Sequence, residues 1–251
     1  FGAGHNAIVT GASSDKGLRD AAAELTKCVE ASDGVLDRVH IHQLASGPKQ
    51  PASSQLDGLI AKDLAMWHGG WVASPFRGGQ LKSYLWHQYL DDGEVWGHLI
   101  KGIFAGTIDL WREQRALEPH DYHDFFHLDH FIHLWDLVED HPVYTKQDRH
   151  AVVEMFIDLL RHLAGLFYLQ QEVNPDGIPR QNHTTFVGLN LVAGHQYLSR
   201  RYGVTEFADI SARVERIFAG QALGYKPNDD AGVGYVWHTP HHTLDYMLLS
   251  N

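Results

Sequence analysis

The chain carries 19 histidines among its 251 residues, and their placement matters more than their number. In HDYHDFFHLDHFIH, His120, His123, His127, His130 and His133 recur at steps of three and four residues. At roughly 100° per residue they form one stripe of a helix, about 150° round from a second stripe of Phe125, Leu128, Ile132 and Trp135. Two imidazoles at i and i+4 can share a metal ion, with Asp124 or Asp129 adding an oxygen or orienting a ring. The pattern HExxH is absent, and solvated or hydrogen-bonded histidines explain such a face more simply than a metal does. No metal and no cofactor is expected.

Two further stretches concentrate groups able to bind an anion or move a proton. In PDGIPRQNHTTF, a breaker-rich turn delivers Arg180, Gln181, Asn182 and His183 to the start of a helix, where free backbone N–H groups and a partial positive charge favour an anion. Asn182 also reads as an ordinary N-cap with His183 filling the first turn. In DDAGVGYVWHTPHHTLDYML, Tyr235, Trp237, His238, His241, His242 and Tyr246 gather around a helix started by a proline, with His242 and Tyr246 one turn apart. Imidazoles and phenols there can exchange protons near neutral pH if burial and neighbours shift them, although tyrosines are also common core aromatics.

The segment IVTGASSDKG, from Ile8 to Gly17, resembles the TGxxxGxG opening of the short-chain dehydrogenases, an apolar strand feeding a glycine turn and a helix. Asp15 and Lys16 stand where that family has glycine and an apolar residue, and Asp15 would set a negative charge beside a phosphate. No Tyr is followed four residues later by Lys, and Asn-Ala-Gly is absent. A plain strand, turn and helix is the favoured reading.

The elements that must position these groups follow from periodicity. AIVT, a helix from Leu18 to Val29 and VLDRVHIHQL suggest a small α/β unit, followed by a loop at SGPKQPASSQ and an irregular aromatic and glycine segment, MWHGGWVASPFRGGQ. From about Asp91 the period is helical. Val95, Leu99, Ile103 and Leu110 mark one face; Phe125, Leu128, Ile132 and Trp135 a second; Val152, Phe156, Leu159, Leu163 and Leu166 a third; Phe186, Leu189, Ala193 and Tyr197 a fourth; Phe207, Ile210, Val214 and Ile217 a fifth. Thr145 with Asp148 imitates a capping box, Tyr202-Gly203 ends a helix, and Thr205 is placed to cap the next. Short connections between long helices predict antiparallel hairpins.

Composition narrows the function classes. An apolar share of 44% with 11% aromatics supplies a core, and a formal charge of -11, from 31 acidic against 20 basic residues, argues against a nucleic-acid or anionic-membrane surface. The lone Cys28 permits no internal disulfide, and no run of eighteen apolar residues is present. The start at Phe1 without Met and the stop after TLDYMLL suggest a mature or trimmed piece.

Taken together, the helical hairpins, the RQNHTTF turn and the later Tyr/His helix resemble the α/α-toroid polysaccharide lyases, the alginate lyase and heparinase II/III-like group. That group pairs an Asn-His at a helix start with an (S/T)PxYH segment some fifty to sixty residues on; Asn182-His183 and HTPHHTLDY stand in those places. The resemblance spans roughly residues 91–251. It implies a mainly α fold, antiparallel helical hairpins of an incomplete toroid (61–251), behind a small N-terminal α/β domain (1–60). It also implies β-elimination on a uronic-acid polysaccharide, with Asn182, His183, Tyr235, His241 and Tyr246 as catalytic groups. Arg180, Gln181, His238, His242, His127 and Trp237 are then the substrate-binding groups. The implied partner is an anionic polysaccharide or oligosaccharide, not nucleic acid or membrane, and the implied location is extracellular or periplasmic. A histidine stands where the family has its tyrosine, so Tyr235, Tyr246 or an imidazole must do that work. A hydrolase using Asp229, Asp230 or Asp245, a non-catalytic glycan-binding helical domain, and a metal enzyme on the His120 to His133 stripe are the competing readings.

Overall fold

A computed structural model describes residues 15–31, 50–65, 79–91, 93–117, 127–166, 182–223 and 238–250. Among them, all regular structure is helical: α1 (Asp15–Ala31), a short 3-10 turn (Ser53–Gln55), α2 (Leu56–Ala65), α3 (Gly79–Asp91), α4 (Glu94–Leu117), α5 (Leu128–Val138), α6 (Lys146–Ala164), α7 (Asn182–Tyr202), α8 (Ala208–Leu223) and α9 (His238–Leu249). The mainly α class expected from periodicity is therefore observed. The strands expected at AIVT and VLDRVHIHQL lie outside the described residues. The chain divides into two compact units: residues 1–50 with 90–92, of which α1 is the described helix, and residues 51–89 with 93–251.

The larger unit is arranged around α7. Residues 184–194 of this helix are buried without interruption, and α5, α6, α8 and α9 all pack against it. A helix buried on every side cannot follow the usual two-faced pattern, and α7 indeed places Thr184, Thr185 and Asn190 inside along with Val187, Leu191 and Leu198. Room for this crowding comes from Gly194, where a Cβ would lie 2.4 Å from Leu160 Cδ1 of α6.

Helix ends agree with local chemistry. At the start of α6, Asp148 N–H donates to Thr145 Oγ1 (3.2 Å) while Thr145 N–H donates to Asp148 Oδ2 (2.7 Å), completing the capping box. Lys101 of α4 reaches the same carboxylate at 2.6 Å. Helix α7 ends at Gly203, whose φ of +68° only glycine holds without strain; Val204 N–H then donates to Leu198 O (3.2 Å), the six-to-one closure of a Schellman turn. Thr205 enters the next turn through its carbonyl, which accepts from Ala208 N–H (3.1 Å), rather than as a side-chain cap. At this end of α7, buried Glu139 accepts from Tyr197 Oη (2.5 Å) and Tyr202 Oη (2.9 Å) and pairs with Arg201 (3.0 Å), tying the end of α5 to the end of α7.

Two expectations are corrected. The helical run does not begin near Asp91: α2 and α3 precede it, because tertiary burial of Leu81 and Leu85 sustains a helix whose own sequence is barely two-faced. Nor does one helix carry the histidine stripe. His127 has φ 74°, a left-handed conformation that a right-handed helix excludes, so α5 starts only at Leu128. His120 and His123 lie outside the described residues.

The close approach of α6 and α7 sets a measurable expectation. Gly194→Val places branched carbons where Leu160 already sits and costs about 2 kcal/mol, as overpacking does. This is read as a lower urea midpoint at unchanged m value; an unaltered midpoint would show that the two helices do not approach this closely.

Candidate functional site: a buried imidazole, lysine and carboxylate cluster

Four helices of the larger unit bring charged and proton-carrying groups together. Helix α3 supplies Lys82, the start of α5 supplies His127, Asp129 and His130, α7 supplies Thr185, Phe186 and Asn190, and α9 supplies His241, His242 and Asp245. Lys82 Nζ donates to His130 Nδ1 at 2.9 Å. That bond places the imidazole proton on Nε2, which faces Asp129 Oδ2 at 3.5 Å. His127 stacks on His130 (centroids 5.3 Å apart) and stands edge-on to Phe186 (5.5 Å), whose ring lies 4.0 Å from that of His242. His242 is buried, with Nδ1 2.6 Å from Thr185 Oγ1. On the outer side of α9, exposed His241 presents Nδ1 3.4 Å from Asp245 Oδ2.

Helix termini explain much of this placement. Asp129 is the second residue of α5, and its carboxylate accepts from its own N–H and from that of His130, two of the four donors a helix start leaves open. Its N–H also donates to Asn190 Oδ1 (2.8 Å), a fully buried side chain of α7. Asn190 therefore anchors the first turn of α5 against the central helix.

Burial and neighbouring charge shift Asp129, His130 and Lys82. Desolvation raises Asp129 to about 6, with the His130 backbone N–H opposing and Asp245 adding to the rise. Desolvation, then the nearby Lys82 charge, lowers His130 to about 4. Lys82 itself is lowered, by burial first, with Asp129 opposing. At neutral pH the arrangement is thus a carboxylate and an ammonium flanking an uncharged imidazole. Such a site can hold an anionic group against Lys82, while the uncharged imidazole accepts from Lys82 through Nδ1 and turns its Nε2–H toward Asp129.

The residues singled out from the sequence are distributed as follows. Asn182 is the first residue of α7 and His183 the second; His183 is half-buried and, three residues before Phe186, shares its side of the helix. His241, His242 and Tyr246 all lie on α9, but the Tyr246 ring stacks flat on Phe218 of α8, 4.4 Å away. His238 begins α9. Arg180, Gln181, Tyr235, Trp237, Asp229 and Asp230 lie outside the described residues. Sequence reasoning missed Lys82, Thr185 and Asn190. Asn190 had a signal, a lone amide inside FVGLNLVA; Lys82 had a weaker one, a cation within LKSYLW, a segment not recognised as helix. Among the described residues no group of three or more His, Cys, Asp or Glu side chains is arranged to hold a metal ion.

Opposite shifts make a signed prediction. Folding raises Asp129, so the folded chain holds that proton more tightly, and the stability it contributes is full below pH 3.8 and lost as pH climbs to about 6. His130 falls from 6.5 to about 4, so its contribution grows as pH rises through that interval. In Asp129→Asn the descending component is gone. The stability of the variant relative to the native chain is expected to improve steadily from about pH 4 to about pH 6 and then level, in urea titrations at fixed ionic strength. A difference independent of pH would mean that Asp129 is not raised.

No protein-family model, curated protein or solved structure matches this chain.

Proposed function

We propose that the chain is a polysaccharide lyase that cleaves a uronic-acid-containing polysaccharide by β-elimination, with residues 61–251 belonging to an incomplete α/α toroid behind a small N-terminal α/β domain, acting outside the cytoplasm. The observation that carries the reading is the 2.6 Å contact between Thr185 and His242. It brings the helix start bearing Asn182 and His183 up to the helix bearing His241 and His242, the two separated stretches that the lyase chemistry needs in one place.

The hydrogen beside a uronate carboxylate is only weakly acidic, so the site must neutralise that carboxylate and hold the enolate-like charge that forms as the proton departs. Lys82, the positive end of the α7 dipole, Asn182 and His183 are suited to this. His241 is suited to be the base: its Nδ1 faces Asp245, which orients the ring and leaves Nε2 to take the proton and then return it to the leaving oxygen. Imidazole is preferred to Tyr246 in this role because the phenol ring is spent on packing against Phe218. His127 and His242 line the substrate's path, and Arg180, Gln181, Tyr235, His238 and Trp237 are the remaining candidates for contact with the sugar.

A second reading has one observation in its favour. Asp129, raised to about 6, and Asp245, whose charge contributes to that rise, resemble the acid and base pair of a glycoside hydrolase on the same toroid. A non-catalytic glycan-binding domain is the alternative outcome. Incubation with alginate, pectate and heparan-type chains separates the three: ultraviolet absorbance of an unsaturated uronate marks elimination, saturated reducing ends mark hydrolysis, and retention without product marks binding alone. The lyase reading expects absorbance that survives a chelator and that falls by about 100-fold or more in His183→Ala and in His241→Ala, with helical circular dichroism unchanged. Full activity in both variants would end it.

A further inference from the structure

Lys101 and Lys27 pair with carboxylates, Asp148 at 2.6 Å and Glu24 at 3.2 Å. Lys82 has a different partner. Its Nζ lies 2.9 Å from His130 Nδ1, on an imidazole that brings no negative charge. Burial on α3 removes part of the water that would otherwise hold the ammonium, and it lowers the lysine more than Asp129 raises it. The Phe131 ring, 5.8 Å from Nζ, is at the edge of the roughly 6 Å range in which a π face attracts a cation, so it returns little of that loss. A lysine so placed reaches its neutral, nucleophilic amine more readily than one in water.

The groups round it stand in the order that nucleophilic catalysis uses: an amine, a base within hydrogen-bond reach of it, and a third group that orients the base. His130 Nδ1 is the base, and Asp129 Oδ2 stands 3.5 Å from Nε2, the other ring nitrogen. His133, His241 and Asp245 are further titratable neighbours of His130, the carboxylate opposing the two imidazoles. Lys82 and His130 are half-buried rather than sealed, and the His130 side chain keeps 39% of its surface. We propose that Lys82 is a nucleophile that joins a small aldehyde or ketone as an imine, with His130 carrying the proton. His130 Nδ1 takes a proton from the ammonium, and the freed nitrogen lone pair bonds to the carbonyl carbon as the C=O π pair moves to oxygen. Asp129 stabilises the imidazolium meanwhile. The oxygen receives that proton back from His130 and a second from nitrogen, and leaves as water while the nitrogen lone pair closes the C=N bond. Ammonium and carbonyl thus become a protonated imine and water, with no oxidant or reductant. This goes beyond the lyase reading, which uses the charge of Lys82 and not its lone pair.

The test traps the imine on the whole chain with no polysaccharide present, so its outcome is independent of the elimination assay. Glycolaldehyde, and in a separate arm glyoxylate, is added at neutral pH with sodium cyanoborohydride, which reduces each imine to a stable secondary amine. Peptide mass spectrometry then follows each lysine over time. Access alone would make half-buried Lys82 slower than exposed Lys146. Lys82 is expected instead to be labelled about tenfold faster, with a pH profile displaced to lower pH, and its rate is expected to fall about tenfold in His130→Gln while that of Lys146 is unchanged. Should His130→Gln lose its helical circular dichroism, the ratio of rates and the two pH profiles in the native chain decide alone. Lys82 labelled no faster than Lys146 by either aldehyde, a pH profile coincident with that of Lys146, or an unchanged Lys82 rate in folded His130→Gln would each overturn the proposal.

Discussion

The structure depends on one constraint: residues 184–194 of α7 are buried on all sides, yet their sequence carries polar groups that burial makes costly unless they are partnered. Asn190 takes the N–H of Asp129, and Thr185 takes an imidazole nitrogen of His242. Each partner belongs to a different helix, so satisfying the central helix also fixes where α5 begins and how α9 lies across it. At the opposite end of α7 the same logic runs through Glu139, a buried carboxylate reached by Tyr197, Tyr202 and Arg201. Removing any one partner would leave a buried polar atom exposed to the full cost of its lost hydration.

That constraint also creates the electrostatics of the cluster. The start of α5 is held inside, where its open N–H groups are answered by the Asp129 carboxylate, and the carboxylate in turn draws Lys82 within reach of His130. Low effective dielectric makes every charge there expensive, and the groups respond by shifting toward their neutral forms: Asp129 upward, His130 and Lys82 downward. A chain with a formal charge of -11 has little general attraction for a polyanion. The local ammonium of Lys82 and the N-terminus of α7 are where the proposed substrate would meet the positive potential that the surface as a whole lacks.

Legibility followed periodicity. The faces of α6 and α8, the capping box at Thr145 and the stop at Gly203 could all be read because they rest on contacts three and four residues apart or on a backbone angle only glycine holds. Helices α2 and α3 could not, because their stability comes from burial against distant residues rather than from a repeat of their own. His127 misled for a related reason. Its spacing continues the stripe, but the chain is held there in a left-handed turn by the packing of its ring between His130 and Phe186. In the cluster, His241 and His242 stood out by type and spacing, whereas Lys82 is an ordinary helical lysine until a folded neighbour 48 residues away comes within 2.9 Å.

By itself, then, the amino-acid sequence determined the helical class, most of the helix ends in the C-terminal half and the two segments that carry imidazoles, since these follow from local spacing and capping. The tertiary structure decided which imidazole is buried against Thr185 and which faces solvent beside Asp245, that Tyr246 is engaged by Phe218, and that Lys82 joins the cluster. Those outcomes depend on desolvation and on distances between helices, and neither quantity exists until the helices have packed.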